Sequence, residues 1–201
     1  SSNSGHTVGE WPALAFDSMG NPALMWRDIH FGGIQRDDTR RSDAEMAYAL
    51  GGWSHEMVDC GDGGGRDNSA VFDSEDRFVG AHRITGDSHI DNRHGLWIHR
   101  RQDDGSYLQL RLTVGQVGFQ ESSLTALADG SVAAIYYDAS SRHPWVAILE
   151  DTVRFADGSS WFQEDIGSNT FNEGQFPSID VSPTGTLAVA YYRCGRASSE
   201  E

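Results

Sequence analysis

Histidines and acidic residues that could carry proton transfer or metal binding cluster in the middle of the chain. Between His82 and His99 the sequence also places His89, Asp87 and Asp91. Imidazole exchanges protons and binds metals near neutral pH, so this composition is compatible with acid–base chemistry or with a metal site. A metal site would use Asp87, His89 and Asp91, although close His and Asp spacing is also common without a metal.

A polysaccharide lyase is one reaction that the residues of this region would suit. A lyase needs a base that removes the proton beside a uronate carboxylate, an acid for the leaving oxygen, and a cation that neutralises the carboxylate. His82, Tyr137 and Arg83 supply those three types, with Arg154 as an alternative cation. They are therefore the candidate catalytic residues if the protein is an enzyme.

The elements that must position these residues come from an internal repeat. Two short apolar runs around a polar turn occur four times, beginning at Pro12, Asn68, Ser122 and Pro177. The spacings of 56, 54 and 55 residues are a fixed period, which indicates a repeat architecture. The turns contain Gly, Pro, Asp or Asn, the residues that hairpin turns favour.

A second hairpin follows the first in each complete repeat, as at 45–58 and at 95–112. Four antiparallel strands every 54 to 56 residues are typical of a β-propeller blade, whereas a β-sandwich with evenly spaced hairpins predicts no repeat in the sequence. The expected fold is therefore all-β, a β-propeller of four-stranded antiparallel blades. About three and a half blades fit in this chain.

The repeat divides the chain into blades. Blade 1 covers 12–66, blade 2 covers 67–120, blade 3 covers 121–175, and the first half of blade 4 covers 176–196, between an N-terminal arm or closing strand at 1–11 and a polar tail at 197–201. Open sheet edges pair readily with other chains, so we expect a second propeller fragment, an identical chain or more of a longer protein to complete the ring. A four-bladed ring closed by residues 1–10 is a third alternative.

Composition excludes some classes of partner. The 201-residue chain carries a net charge of −15, so a nucleic-acid backbone is not an expected partner. No apolar run approaches the roughly 20 residues that span a membrane, and the first ten residues lack the features of a signal peptide. We expect a secreted, periplasmic or cell-surface protein in mature form. Cys60 and Cys194 either pair or are both free.

Calcium is the only cofactor that the loops suggest. Their aspartates could bind Ca²⁺ through carboxylate oxygens, but no twelve-residue calcium-binding loop with its glycine and closing glutamate is present in the sequence. We therefore predict no firm cofactor, with Ca²⁺ as the alternative.

Two stretches resemble a known family. SSLTALADGSVAAIYYD at 122–138 and GQFPSIDVSPTGTLAVAYY at 174–192 resemble repeats of secreted bacterial β-propellers of the sialidase-like and BNR-repeat style. Gly158 and Trp161 fall at the offsets of the sialidase Asp-box, while Ala156 occupies its Asp position. The resemblance implies the propeller fold and leaves the function open, because propellers carry many activities.

Ligands of such a fold are expected where loops meet on one face, beside the ends of the second strands. Each repeat has an aromatic residue or histidine there, which either packs between blades or binds a ligand. The candidate ligand-binding residues are Trp26, His30, His89, Tyr136, Tyr191 and Arg193.

The expected function is a binding or assembly module that engages a partner protein or a glycan. The alternative is a carbohydrate-active enzyme, either a lyase or a glycosidase, that uses His, Tyr and Arg at the propeller mouth.

Overall fold

The protein consists of antiparallel β-sheets. A computed structural model describes residues 6–30, 41–49, 51–59, 63–84, 94–113, 122–149, 161–168 and 172–194. Every regular element in these ranges is a β-strand, and each sheet follows chain order. The predicted all-β class with four-stranded antiparallel sheets is confirmed. Within the described ranges, no helix is long and apolar enough to cross a membrane.

The strands in the described ranges form three sheets of four and one sheet of two. Sheet 1 contains β1 (His6–Phe16), β2 (Pro22–His30), β3 (Arg41–Ala49) and β4 (Trp53–Asp59). Sheet 2 contains β5 (Arg66–Phe72), β6 (Phe78–Ile84), β7 (Gly95–Arg101) and β8 (Tyr107–Arg111). Sheet 3 contains β9 (Ser122–Ala126), β10 (Val132–Asp138), β11 (His143–Leu149) and β12 (Trp161–Asp165). Sheet 4 contains β13 (Asn172–Val181) and β14 (Leu187–Cys194).

Sheet 1 is longer than the repeat alone indicates. β1 already begins at His6, which pairs with His30, so residues 6–11 of the predicted arm extend the first sheet. The predicted polar segment 28–43 is partly strand, since Ile29 pairs with Ser42 across β2 and β3. The buried side chain of Ile29 explains why the strands continue beyond the predicted ends.

The first hairpin of every sheet closes with the same turn. The Asp17 N–H donates to the Asn21 carbonyl and the Gly20 N–H donates to the Asp17 carbonyl, and the same two bonds recur in turns that start at Asp73, Leu127 and Ser182. The residue corresponding to Gly20, which has a φ of 81°, is left-handed in every case. Glycine adopts this conformation without steric cost, and aspartate, as Asp76 at 57°, tolerates it better than most residues.

The sheets stack in chain order through their first strands. β1 packs on β5, β5 on β9, and β9 on β13. Each contact encloses an apolar cluster, in which side chains from one face of a sheet meet those from the opposite face of the next. Sheets 1 and 2 approach closely, since a Cβ at Gly80 would lie 2.6 Å from the Met25 sulfur.

A serine hydroxyl crosses each of the two later contacts between sheets. Ser69 Oγ accepts the Leu124 N–H at 3.0 Å, and Ser123 Oγ accepts the Ile179 N–H at 3.3 Å. The first strand of a sheet is an edge strand, so alternate N–H groups point away from its partner strand and need another acceptor. These two inter-sheet serine bonds satisfy such groups and hold neighbouring first strands together.

Candidate functional site

A glycine-initiated bulge opens the first strand of sheets 1, 2 and 4. Three glycines at equivalent positions have left-handed φ angles of 88°, 78° and 102°: Gly9, Gly65 and Gly174. Two residues later a non-glycine residue has a φ of 48°, 52° or 52°: Trp11, Asp67 and Phe176. The pairing register shifts at each of these points. Left-handed non-glycine residues are uncommon and cluster at functional sites, so this rim is a candidate site.

The bulges bring side chains to the rim where the second strands end. Trp11 is 42% exposed and Phe176 is 69% exposed. In the strand register beside the bulge, Glu10 lies opposite Arg27 and Arg66 lies opposite Arg83. The fold therefore places aromatic, acidic and basic side chains together at the start of sheets 1 and 2.

Two guanidinium groups lie against the exposed tryptophan. Arg27 Cζ is 5.3 Å and Arg66 Cζ is 5.7 Å from the centroid of the Trp11 ring, within the range of a cation–π interaction. The buried Arg27 also donates from Nη1 to Glu10 Oε2 at 3.0 Å. Together with Asp67 and Arg83, these residues are called the Trp11 cluster.

The rest of the Trp11 cluster adds a second ion pair. Arg83 Nε is 2.8 Å from Asp67 Oδ2. Burial raises the pKa of Asp67, while the charges of Arg83, Arg66 and Arg27 oppose that rise. The guanidinium groups of Arg27, Arg66 and Arg83 thus lie together with the carboxylates of Glu10 and Asp67. Such a surface can attract an anion and stack against an apolar ring face.

A second set of polar side chains is buried where sheet 2 meets sheet 1. His82 Nε2 lies 2.8 Å from His99 Nε2, and the two rings stack with centroids 4.7 Å apart. Asp59, at the end of β4 in sheet 1, places Oδ2 3.5 Å and 3.7 Å from the two Nε2 atoms. All three side chains are buried, so this His–His–Asp network is closed to solvent.

A backbone donor fixes the tautomer of His82. The Gly65 N–H donates to His82 Nδ1 at 3.0 Å. Because a backbone N–H can only donate, Nδ1 must keep its lone pair, and neutral His82 carries its proton on Nε2. That proton faces His99 Nε2 at 2.8 Å, so His99 accepts there.

The His–His–Asp network has the donor types of a metal site, with ligand atoms that lie within 4.8 Å of one another. A metal on His82 would need the Nε2 lone pair, and a ligating histidine normally donates its other N–H outward. Here the other nitrogen, Nδ1, accepts from Gly65 instead. His82 therefore does not fit as a metal ligand in this arrangement, and the network is better described as a hydrogen-bonded contact between sheets.

The predicted catalytic residues lie in two sheets. His82 and Arg83 are neighbours on β6, with His82 inside the His–His–Asp network and Arg83 paired with Asp67. Tyr137 is on β10 in sheet 3, where burial raises the pKa of its buried phenol and Gln175 forms a hydrogen bond with it. A general base must reach the proton it removes within hydrogen-bond distance. The role of His82 as a base stays a prediction, for which its enclosed position offers no support.

Three predicted ligand-binding residues occupy equivalent positions on their second strands. In sheets 3 and 4 this position faces the preceding sheet, and in sheet 1 it lies on the corresponding side. Tyr136 is buried in the cluster between sheets 2 and 3, and Tyr191 is half-buried against sheet 3. Trp26 is half-buried with its ring 5.1 Å from that of His55. This arrangement matches the packing interpretation at Tyr136 and Tyr191.

The other predicted binding and metal residues are dispersed or undescribed. Arg193 is exposed, with Nε 3.6 Å from Glu173 Oε2. His30 ends β2, but its side chain lies outside the described part of the chain. Residues 85–93 are not described, so the roles predicted for Asp87, His89 and Asp91 stay predictions.

Sequence reasoning missed Trp11 and Arg66, which the structure brings together with Arg27. One signal was available, because Gly-x-aromatic-Pro occurs at the same point of two repeats, 9–12 and 174–177. Asp59 had no such signal, since its link to His82 crosses from one sheet to the next.

Comparison with known proteins supports the fold but does not assign the chain to a family. No protein-family model matches the chain, and no curated protein matches its sequence. A protein of unknown function from Dyadobacter fermentans DSM 18053 has a TM-score of 0.62 at 14% identity, over 96% of this chain and 64% of its own. Hadza microbial sialidase Hz136 has a TM-score of 0.56 at 16% identity, over 92% of this chain and 44% of its own.

A fucose lectin from Kordia zhangzhouensis in complex with methyl-fucoside also matches, with a TM-score of 0.45 at 13% identity, over 76% of this chain and 96% of its own. The first two matches define this chain as an all-β protein that shares its fold with longer proteins. It spans just under two thirds of the first protein and less than half of the second.

Proposed function

We propose that this chain is part of a secreted β-propeller that binds an anionic glycan at the Trp11 cluster. The observation that carries the proposal is the exposed Trp11 ring beside the guanidinium groups of Arg27 and Arg66. An indole ring offers an apolar face to the C–H groups of a sugar, and a guanidinium group binds carboxylate or sulfate through paired N–H donors.

The stacked four-stranded sheets and their repeated turns support the propeller interpretation. The fold shared with a sialidase is compatible with a carbohydrate ligand, although this support is analogy at the level of the fold. Sheet 4 has only β13 and β14 among the described residues, which supports completion of the ring by further repeats.

Binding is favoured over catalysis because the enzymatic alternative depends on His82. For His82 to act as the base of a lyase, its imidazole would have to leave Asp59, His99 and the Gly65 N–H. Trp11 and Arg66 need no such rearrangement to meet a ligand, since Trp11 is exposed and Arg66 is half-buried.

Titration calorimetry with a polyuronate and with a neutral glucan tests the proposal. We expect binding of the polyuronate alone, and a loss of at least about tenfold in affinity for Trp11→Ala, since one buried aromatic contact contributes roughly 1.5 kcal/mol or more. Phe162→Ala removes an exposed aromatic residue on β12 and serves as the control, with unchanged affinity. Equal binding of both polymers, or an unaffected Trp11→Ala variant, would contradict the proposal.

A further inference from the structure

Sheet 4 has an exposed face where the preceding sheets have a covered one. Along β13 and β14 this face consists of Ser178, Asp180, Ala188, Ala190 and Tyr192, all of which are exposed. At the positions equivalent to Ala190, the side chains of Met25, Ala81 and Ile135 are fully buried against the next sheet. This free face of sheet 4 is thus built to the pattern of a surface that packs against another sheet.

Sheet 1 has the opposite free face. Its first strand exposes Leu14 by 54% and Phe16 by 57%. The residues equivalent to Leu14 in sheets 3 and 4, Leu124 and Ile179, are only 8% and 5% exposed because the preceding sheet covers them. The free face of sheet 1 is therefore the apolar counterpart of the free face of sheet 4.

The two free faces also carry the two halves of an inter-sheet serine bond. Ser178 is the repeat equivalent of Ser69 and Ser123, whose hydroxyls accept an N–H from the next sheet. Leu14 is the repeat equivalent of Leu124 and Ile179, whose N–H groups are the donors in those bonds. One end of the chain thus offers the acceptor and the other end offers the donor.

We propose that two copies of this chain associate head to tail, with the free face of sheet 4 in one copy packed on the free face of sheet 1 in the other. Ser178 Oγ of one copy accepts the Leu14 N–H of its partner. This proposal rests on the repeat architecture of the proposed function, but not on the glycan site.

A second copy is the occupant that the chain itself supplies, since every copy presents both complementary faces. Few of the charged side chains on these faces are exposed, although the chain has a net charge of −15. Asp180 is the one carboxylate on the free face of sheet 4 within the described strands. On sheet 1, Asp28, Asp43 and Glu45 face the same side as Leu14 but all three are buried, and Glu45 Oε2 is 3.0 Å from His55 Nε2. Repulsion between copies is therefore weak where they meet.

Disulfide trapping tests which faces meet. Leu14→Cys and Ser178→Cys are made in separate chains in which Cys60 and Cys194 are replaced by serine. We expect a covalent heterodimer when the two variants are mixed and mildly oxidised, and little cross-linking of either variant alone. Cross-linking of Leu14→Cys with itself would indicate a face-to-face pair, and an absence of heterodimer would overturn the proposal.

Light scattering after size exclusion measures the association itself. Phe16→Asp places a charge on the free face of sheet 1 and should raise the dissociation constant at least tenfold. Met19→Asp is the matched control, because Met19 is exposed in the first turn and lies outside that face, so its association should be unchanged. A wild-type chain that remains monomeric at high micromolar concentration refutes the association. If that monomer still binds the polyuronate, the proposed function stands.

Discussion

Two contacts between sheets use the same strands and turns but contain different chemistry. Between sheets 2 and 3, the apolar residues Val79, Ala81 and Leu124 pack together with Tyr136. Between sheets 1 and 2, His82 occupies the position of Tyr136 and lies in the His–His–Asp network. The difference shows that the repeated turns and first strands set the spacing of the sheets, while the side chains at the strand ends can vary.

The polar contact between sheets 1 and 2 contains a further ion pair. Arg101 on β7 donates through Nε and Nη2 to the two Glu56 oxygens on β4, both at 2.8 Å, and the Tyr107 hydroxyl donates to Glu56 Oε2 at 3.1 Å. Directional bonds of this kind require a particular neighbour, whereas apolar packing accepts many shapes. We infer that the first contact is specific for its partner sheet and that the second depends mainly on buried area.

The largest expected effect comes from Gly65, which lies at the centre of the polar contact. Gly65 has a φ of 78°, and an added Cβ would lie 2.7 Å from the Asp43 carbonyl oxygen and 2.9 Å from Arg27 Cα. Gly65→Ala should lower the free energy of unfolding by about 3 kcal/mol, because backbone strain adds to a clash with backbone atoms that cannot rotate away. Urea unfolding measures the change.

Gly20→Ala is the control for Gly65→Ala. Gly20 has a φ of 81° and nothing within 4 Å of an added Cβ, so this variant should lose only about 1 kcal/mol through strain. Equal losses for the two variants would show that sheets 1 and 2 do not approach closely at Gly65.

A smaller effect is expected from a pair of substitutions at equivalent positions. His82→Phe leaves the Gly65 N–H without its acceptor and should cost about 2 kcal/mol of unfolding free energy. Tyr136→Phe keeps the apolar packing between sheets 2 and 3 and should change stability by no more than about 0.5 kcal/mol. If the two variants were equally stable relative to the parent, the distinction between the polar and apolar contacts would not hold.

The smallest effect concerns Glu56 and depends on pH. The hydrogen bond from Arg101 is the main cause that lowers the pKa of Glu56 below its ordinary value. A lowered folded-state pKa stabilises the protein above the unfolded-state pKa, and this contribution is lost as the pH falls through the folded-state pKa. Glu56→Gln should therefore cost less than about 1 kcal/mol at pH 7, because the pair is partly exposed.

Thermal melts of the parent and Glu56→Gln across the acid range measure that gap in stability. The gap should close progressively below about pH 4, near the unfolded-state pKa of glutamate. Glu164 is an exposed glutamate on β12, so Glu164→Gln is the control and should show no difference in stability from the parent at any pH in the series. A gap for Glu56→Gln that widened on acidification would contradict the assigned direction of the pKa.

The sequence predicted those parts of the fold that local chemistry determines. The turns at Asp17, Asp73, Leu127 and Ser182 use residues that favour tight turns. The period of the repeat and the pairing of the strands could therefore be predicted. The second hairpin predicted at 45–58 was also correct, because β3 and β4 pair there as antiparallel strands.

The candidate site could be predicted only in part. His82 and Arg83 were identified by residue type, but their partners were not. Asp59 reaches His82 from the neighbouring sheet, and Asp67 reaches Arg83 through the bulge at the start of β5. The exposed position of Trp11 depends on a left-handed backbone angle of 48°, which its side chain does not itself favour. Contacts of this kind can be identified only from the packed structure, even when the repeat is clear in the sequence.

The glycine at position 80 has a consequence for how such repeats can be rearranged. Its missing side chain admits the Met25 sulfur, whereas the equivalent positions at the next contact hold Ala81 and Ala134. A shuffled chain that placed the third unit directly after the first would set the Ala134 methyl group against Met25. The units therefore share one backbone plan but are not interchangeable, and their order along the gene is constrained by the volumes of two side chains.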